Sequence, residues 1–391
     1  MKIVHVVYNM EMGGAEMLVA QLCRMQRGNG HQVEVCAYDK LGALGKVLRE
    51  EGFTVHVMGE APVPKTMLRY LKLFRRLRPD VVHCHNPAPT LQAAMGARLA
   101  GVDCVLATRH SLVSPPYDRA GEVKFSAWSW LWLDWVAGIC EVTCENLRSA
   151  PLARREKVVR VYNGTSAIER IPVERVADEF RLLFVGRLAK IKDLGTLIRA
   201  VALAAERVPR LRLDVVGDGP VRGELEALAR ELGATERIRF HGQQLETARF
   251  FSGADVFAMS SVSEGLPMSL LQAMSLGLPA VLTDVGGMRE VMDLSKSGLL
   301  APVGDSAAMA EAIVRLANDE PLRAEFSRRA VATYQAEFTL ERMDAEYMRL
   351  YRTAGHRGYG PACTAFIRPS GGRVPGPHPS GTTRRGVAGR R

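Results

Sequence analysis

Short β-rich apolar runs alternate with amphipathic helical runs through the first half of this 391-residue chain, and the alternation then starts again. Strands are expected at 2–8, 32–37, 54–58, 81–85, 104–108, 138–143 and 158–162, and helices near 15–27, 43–51, 66–77, 88–99, 122–136 and 144–149. Strands separated by helices read as βαβ units, which predicts a parallel sheet covered on both faces. A second set opens with a strand at 181–185. It continues with helices near 193–206 and 220–232 and strands near 211–216, 237–240, 255–259, 279–282 and 297–301. Helices near 305–317, 320–336 and 339–353 close it. The reading is two doubly wound α/β domains joined around 165–176. Such domains, set face to face, leave a cleft where the carboxyl ends of both sheets converge, and open α/β sheets bind their ligands there.

Length and composition agree with two domains: 47% of residues are hydrophobic, enough for two sizeable cores. No apolar run reaches the roughly 18 residues of a membrane span. The start of the chain, MKIVHVVYNMEMGGAE, lacks the features of a secretion signal, which predicts a cytoplasmic protein. Seven scattered cysteines (Cys23, Cys36, Cys84, Cys104, Cys140, Cys144 and Cys363) read as reduced packing residues. The net charge of +10 is misleading, because residues 354–391 hold seven arginines and no acid, leaving about +3 on the body. Nucleic acid is therefore not an expected partner. The Gly/Pro/Arg-rich tail itself is expected to be disordered and dispensable for folding and activity.

The groups with chemical potential gather at strand carboxyl ends. Ser260 to Gly277 reads SSVSEGLPMSLLQAMSLG, placing Glu264 on the loop before a helix, Pro267 in that helix's first turn and Gln272 further along it. The amides and dipole of that helix end attract phosphate, and a ligand touching both Glu264 and Gln272 would be elongated with an anionic middle. Glu264 also has a simpler reading as a helix cap. In LLFVGRLAKIKDL, Arg187 and Lys192 sit on the first loop of the second domain, where cations can neutralise a diphosphate leaving group. Gly217 and Gly219 permit a tight turn in LDVVGDGP, and His241 in FHG closes a further strand. In the first domain, Gly13 and Gly14 open a helix and let backbone approach an anion or sugar, or serve only a tight turn. His110 follows its strand within TRHS, as a hydrogen-bond donor, a proton carrier or simply a surface residue. His83 and His85 share one face of VVHCHN without an evident third ligand, so packing and polar contacts are expected there rather than metal. No Asp-x-Asp occurs, so no carboxylate pair suggests a bound divalent metal.

Taken together and in order, the Gly-Gly loop, GRLxxxK, VVGDGP, FHG and SxxEGxPxxxLxAMxxG resemble the family 4 retaining glycosyltransferases of the GT-B fold, over about residues 1–353. The resemblance implies a Rossmann-like acceptor-side domain over 1–168, a nucleotide-sugar donor domain over 169–338, and a last helix over 339–353 that crosses back to the first. It implies that Arg187 and Lys192 stabilise the departing nucleoside diphosphate and that Glu264 binds donor-sugar hydroxyls. His110 would lie beside the transferred sugar, with Gly13 and Gly14 touching the donor. Amides around Ser269 and Leu270 would meet the phosphates, Gly217 would belong to the donor loop, and the strand end at His241 would face the nucleobase. Gln272 departs from the pattern, since the family usually has a glutamate there to hold the ribose. The reaction implied is sugar transfer with retention, without metal or other cofactor, to a glycan or lipid-linked saccharide. The competing readings are a nucleotide-sugar epimerase and a binding scaffold with weakened catalysis.

Two segments bear on a membrane. Residues 67–78 (MLRYLKLFRRLR) mix Lys72 and four arginines with apolar residues at helical spacing, and Trp128, Trp130, Trp132 and Trp135 cluster further on. A basic amphipathic helix with tryptophans can rest on an anionic membrane surface as a peripheral protein, although burial explains both segments as well.

Overall fold

The computed structural model describes residues 1–112, 119–174 and 178–354. The first sheet is built by β1 (Lys2–Val7), α1 (Gly14–Gly28), β2 (Gln32–Ala37), α2 (Gly42–Glu50), β3 (Thr54–Val57), α3 (Val63–Leu77), β4 (Val81–His85), α4 (Pro87–Leu99), β5 (Cys104–Arg109), α5 (Arg119–Trp132), β6 (Trp135–Gly138), α6 (Glu141–Ser149) and β7 (Val158–Arg160). The second is built by β8 (Phe180–Val185), α7 (Leu194–Ala205), β9 (Leu211–Val216), α8 (Arg222–Glu231), β10 (Ile238–Phe240), α9 (Ala248–Gly253), β11 (Val256–Met259), α10 (Met268–Ser275), β12 (Ala280–Thr283), α11 (Gly286–Ser295) and β13 (Gly298–Ala301). Then come α12 (Ser306–Asn318), α13 (Glu320–Glu337) and α14 (Leu340–Ala354).

Both sheets are parallel and doubly wound. The first runs β3-β2-β1-β4-β5-β6-β7 and the second β10-β9-β8-β11-β12-β13. The strand order reverses between β1 and β4, and again between β8 and β11, which opens a crevice at each carboxyl edge. Central strands such as β4 (VVHCH) and β11 (VFAM) are buried at every position, as helices on both faces require.

The crossing between domains is pinned twice. Thr165 takes part in backbone bonds on both sides of Thr339, donating to Phe338 O and accepting from Leu340 N, and Tyr334 hydroxyl donates to Thr165 O at 2.6 Å. A Cβ on Gly164 would lie 2.2 Å from Thr339 O, so only glycine lets the two chains pass. Helix α14 then lies against the first domain, its Tyr347 hydroxyl 3.0 Å from Thr108 Oγ1 and its Tyr351 hydroxyl 2.7 Å from His83 Nδ1. Each of these buried tyrosines contributes roughly 2 kcal/mol of apolar burial toward holding the helix there.

Several local expectations are corrected. The strand expected at 138–143 is Trp135–Gly138, and Glu141–Ser149 is helical; the β-branched run Ile139–Thr143 mimicked a strand. It cannot continue the sheet because α6 folds back so closely that a Cβ on Gly138 would sit 2.6 Å from Cys144 Sγ. The preceding helix stops at Trp132, where Asp134 turns to accept the Val105 amide. Helix α11 was not expected, since Gly286 and Gly287 are poor helix formers, and tertiary contact overrides that propensity. Pro267 precedes α10 rather than sitting in its first turn. The cysteines within the described residues are free and buried. No helix there is long and apolar enough to cross a membrane, and the tail from 355 onward lies outside the described residues.

Candidate active site

The site is assembled by glycines that let loops touch. A Cβ on Gly217, whose φ is +134°, would fall 2.0 Å from Gly186 O, and one on Gly219 would fall 2.2 Å from Leu188 O. Gly217 N–H donates to Gly242 O at 2.8 Å, so the GRL, VVGDGP and FHG loops are stitched into one rim. Gly217 therefore has a packing reason of its own. Gly217→Ala is expected to cost about 3 kcal/mol or more, from the strained φ and the clash together, read as a lowered urea midpoint. An unchanged midpoint would show that the loops do not need this approach.

On that rim Arg187 is exposed, and its side chain has no hydrogen-bond or ion-pair partner among the described residues. Lys192, five residues on, reaches Glu264: its Nζ pairs with Glu264 Oε1, which also accepts from Ser261 Oγ at 3.1 Å. Glu264 Oε2 is left without a partner among the described residues. The two loops are tied by their backbones as well, through Val262 N–H to Ile191 O at 2.9 Å and Ser260 Oγ to Asp193 O at 2.7 Å. The 264–266 segment is held from three directions. Gly287 N–H donates to Glu264 O, and a Cβ on Gly286 or Gly287 would come within 1.9 Å of the Glu264 or Gly265 carbonyl. Asn163 Nδ2 donates to Leu266 O at 3.0 Å from the interdomain crossing. Sequence reasoning missed Gly286, Gly287 and Asn163; the Gly-Gly pair at a strand's carboxyl end was the available signal.

From the first domain, His110 reaches the same segment. A Cβ on Gly265 would lie 3.4 Å from His110 O and 2.9 Å from Ile139 Cδ1. Lys192, Glu264 and His110 are thus brought to one region, and Arg187 sits on the same loop as Lys192. Gly13 is the residue before α1 and Gly14 its first residue, with open space where a Gly14 Cβ would stand. Among the described residues no contact joins either glycine to Glu264. The Leu270 N–H is not open, since it donates to Pro267 O at 3.1 Å, whereas Met268 and Ser269 have no backbone acceptor among the described residues. Ser269 Oγ lies near Met259 Sδ. His241 is already engaged, with Nε2 2.6 Å from Asp214 Oδ1 and its ring against Phe250. Gln272 is half-buried in α10 with no side-chain hydrogen bond among the described residues, and four residues of helix precede it.

The third histidine judged missing beside His83 and His85 is present. His5, on the adjacent β1, brings its ring nitrogen within 4.8 Å of theirs. The facing nitrogens are already used: His5 Nδ1 lies 3.0 Å from His85 Nε2, and His85 Nδ1 lies 2.9 Å from His110 Nε2. His83 is bonded at both nitrogens, to Tyr351 and Thr108, each at 2.7 Å. Burial pushes the pKa of His5 and His110 down to about 4 and those of His83 and His85 well below the usual range, so all four rings are neutral.

Two Rossmann-like domains built on parallel sheets are the architecture of the GT-B glycosyltransferases. Sequence kinship agrees: the model described as "Glycosyl transferases group 1" matches residues 167–332, and "Glycosyltransferase Family 4" matches 12–167. The chain belongs to this glycosyltransferase family. Among its relatives, the lipopolysaccharide core biosynthesis glycosyltransferase LpsE of Rhizobium meliloti is 34% identical over 200 residues, half of this chain and 58% of that protein. The putative glycosyltransferase EpsD of Bacillus subtilis is 29% identical over 290 residues, 68% of this chain and 76% of that one. Anabaena HepE, solved in complex with UDP, superposes with a TM-score of 0.81 at 20% identity, covering 90% of this chain and all of HepE.

Proposed function

We propose that this glycosyltransferase moves a sugar from a nucleoside diphosphate sugar to a glycan or lipid-linked saccharide in surface polysaccharide synthesis, with retention of configuration and without a divalent metal. The observation that carries the reading is the Lys192–Glu264 pair, on a loop it shares with the exposed Arg187 and against the approach of Gly265 to His110 from the first domain. A diphosphate arriving at Arg187 draws Lys192 off Glu264. The two cations then take the charge that develops on the leaving group, and the freed carboxylate accepts hydroxyls of the donor sugar. His110 lies beside that sugar, and attack comes from the face the leaving group departs. The amide of Ser269 serves the phosphates, the strand end at His241 the base, and Gln272 the ribose. Support for the nucleotide comes from HepE, solved with UDP, and for the acceptor from LpsE, named for lipopolysaccharide core synthesis.

The membrane reading also stays a proposal, with the protein peripheral on the cytoplasmic face. Helix α3 buries Tyr70, Leu73 and Phe74 and turns Lys65, Lys72, Arg75 and Arg76 outward, while Trp130 and Leu131 are exposed at 43% and 61%. Trp128 and Trp132 pack against the core and Trp135 is buried, so of the four tryptophans only Trp130 is available to a membrane surface.

The full chain with UDP-, GDP- and ADP-sugars tests the reading by thermal shift. Saturation at roughly a hundred times the dissociation constant adds about 2.7 kcal/mol, a rise of several degrees. A shift with one nucleotide class followed by sugar transfer supports it, release of an epimer points to epimerase chemistry, and no shift with any donor overturns it. Gly14→Ala separates roles further. It has room, so stability should hold or rise by up to about 1 kcal/mol while donor affinity falls. Unchanged affinity would remove Gly14 from the donor site. Gln272→Glu should tighten donor binding through a charge-assisted bond to the ribose, and unchanged affinity would remove this residue likewise.

A further inference from the structure

A continuous line of hydrogen bonds runs from α1 through the first sheet to His110. Gln26 Oε1 lies 2.9 Å from His5 Nε2, His5 Nδ1 lies 3.0 Å from His85 Nε2, and His85 Nδ1 lies 2.9 Å from His110 Nε2. The His5 and His85 rings are buried and that of His110 partly so, and the far nitrogen, His110 Nδ1, is shut from solvent and has no partner among the described residues. An unpaired polar atom in such a place is costly unless something arrives to bond it.

The line has a direction. An amide oxygen only accepts, so His5 Nε2 carries the proton and His5 Nδ1 a lone pair. That lone pair must receive the proton of His85 Nε2, which leaves His85 Nδ1 bare to receive that of His110 Nε2. His110 Nδ1 is then bare in turn. Turning the Gln26 amide over would reverse all three rings and place a proton on His110 Nδ1 instead. In this structure it is Oε1 that meets His5, and Gln26 Nε2 has no hydrogen-bond partner among the described residues, while Asn29 Nδ2 holds the Asp344 carboxyl at 3.0 Å. Neutral rings, as burial enforces, are the condition for one proton per ring along the line.

We propose that Gln26, His5 and His85 are positioning residues that fix the tautomer of His110, so that its bare Nδ1 meets the transferred sugar as a hydrogen-bond acceptor for a hydroxyl. The identity of that hydroxyl rests on the function proposed above; the tautomer does not. The test is long-range 1H–15N imidazole spectroscopy on the full chain labelled at histidine, with His110 assigned by loss of its signals in His110→Gln. The expected result is a protonated Nε2 and a bare Nδ1 on His110. Gln26→Met, which is similar in size but lacks the acceptor, should turn these signals into those of a tautomer mixture, and Gln26→Glu, an acceptor again, should restore them. With a donor in hand, Gln26→Met should lower kcat by about tenfold, the worth of one hydrogen bond in a dry site, with KM for the donor nearly unchanged. A proton on His110 Nδ1 in the unmodified protein overturns the proposal, even if Gln26→Met fails to fold. So does an unchanged tautomer in a folded Gln26→Met. Failure of every donor to turn over would instead remove the proposed function and leave the tautomer result standing.

Discussion

Lys192→Ala is expected to lower sugar transfer by a hundredfold or more, about the loss seen when a donor that stabilises developing charge is removed. The geometry makes the effect separable from stability. Lys192 and Glu264 are largely covered, with side chains 20% and 13% exposed, so removing the lysine leaves a carboxylate supported, among the described residues, only by Ser261. Breaking a covered pair costs up to about 3–5 kcal/mol because the remaining charge is stranded. Adding Glu264→Gln removes that charge and should recover much of the thermal stability. Activity should not return with it, since Arg187 alone then faces the diphosphate and the acceptor for the sugar hydroxyls has lost its charge. Transfer within threefold of wild type in Lys192→Ala, measured at saturating donor, would falsify the assignment. Recovery of activity together with stability in the double variant would mean that the pair is only a brace between two loops.

The second large effect is on acid stability. His5, His83, His85 and His110 are held neutral in the folded protein, with pKa values lowered to about 4 for His5 and His110 and well below normal for the other two. In the unfolded chain each titrates near 6.5. Below that pH the unfolded state takes up protons that the folded state refuses, so stability falls as pH falls from about 6.5 toward 4. At pH 5.5 four such rings together cost on the order of 5 kcal/mol relative to pH 7.5, a large share of the 5–15 kcal/mol typical of a whole domain. Glu16, Glu290, Asp344 and Glu346 are raised by burial and act the other way, since protonation relieves them as pH falls toward the carboxylate range. The steepest loss is therefore expected between pH 6.5 and about 5. Urea midpoints at pH 7.5 and 5.5 check it: a clear drop is expected, and equal midpoints would mean that the buried rings are free to charge.

Much of the architecture was legible because a parallel sheet leaves a strong local imprint. Its strands are buried on both faces and its helices on one, so apolar runs such as 81–85 and stripes such as 66–77 announce themselves. The reading failed where local pattern and tertiary contact conflict. Ile139–Thr143 has strand composition but becomes the entry to α6, and Gly286-Gly287 has loop composition but begins α11 because nothing larger fits against the Glu264 and Gly265 carbonyls.

For the site, residue types and spacing alone drew attention to Arg187, Lys192, Glu264 and His110, because charge and glycine at strand carboxyl ends are visible without coordinates. What the sequence could not contain is who bonds to whom. His5 and His110 stand 105 positions apart in the chain, yet both are tied to His85, because parallel pairing sets β1, β4 and β5 side by side in register. The Lys192–Glu264 pair, the engagement of His241 by Asp214 and the use of the Leu270 amide by Pro267 were likewise settled only by folding. Local periodicity records burial, and burial specifies the elements; partnership between distant side chains depends on register and on which loops glycine allows to touch.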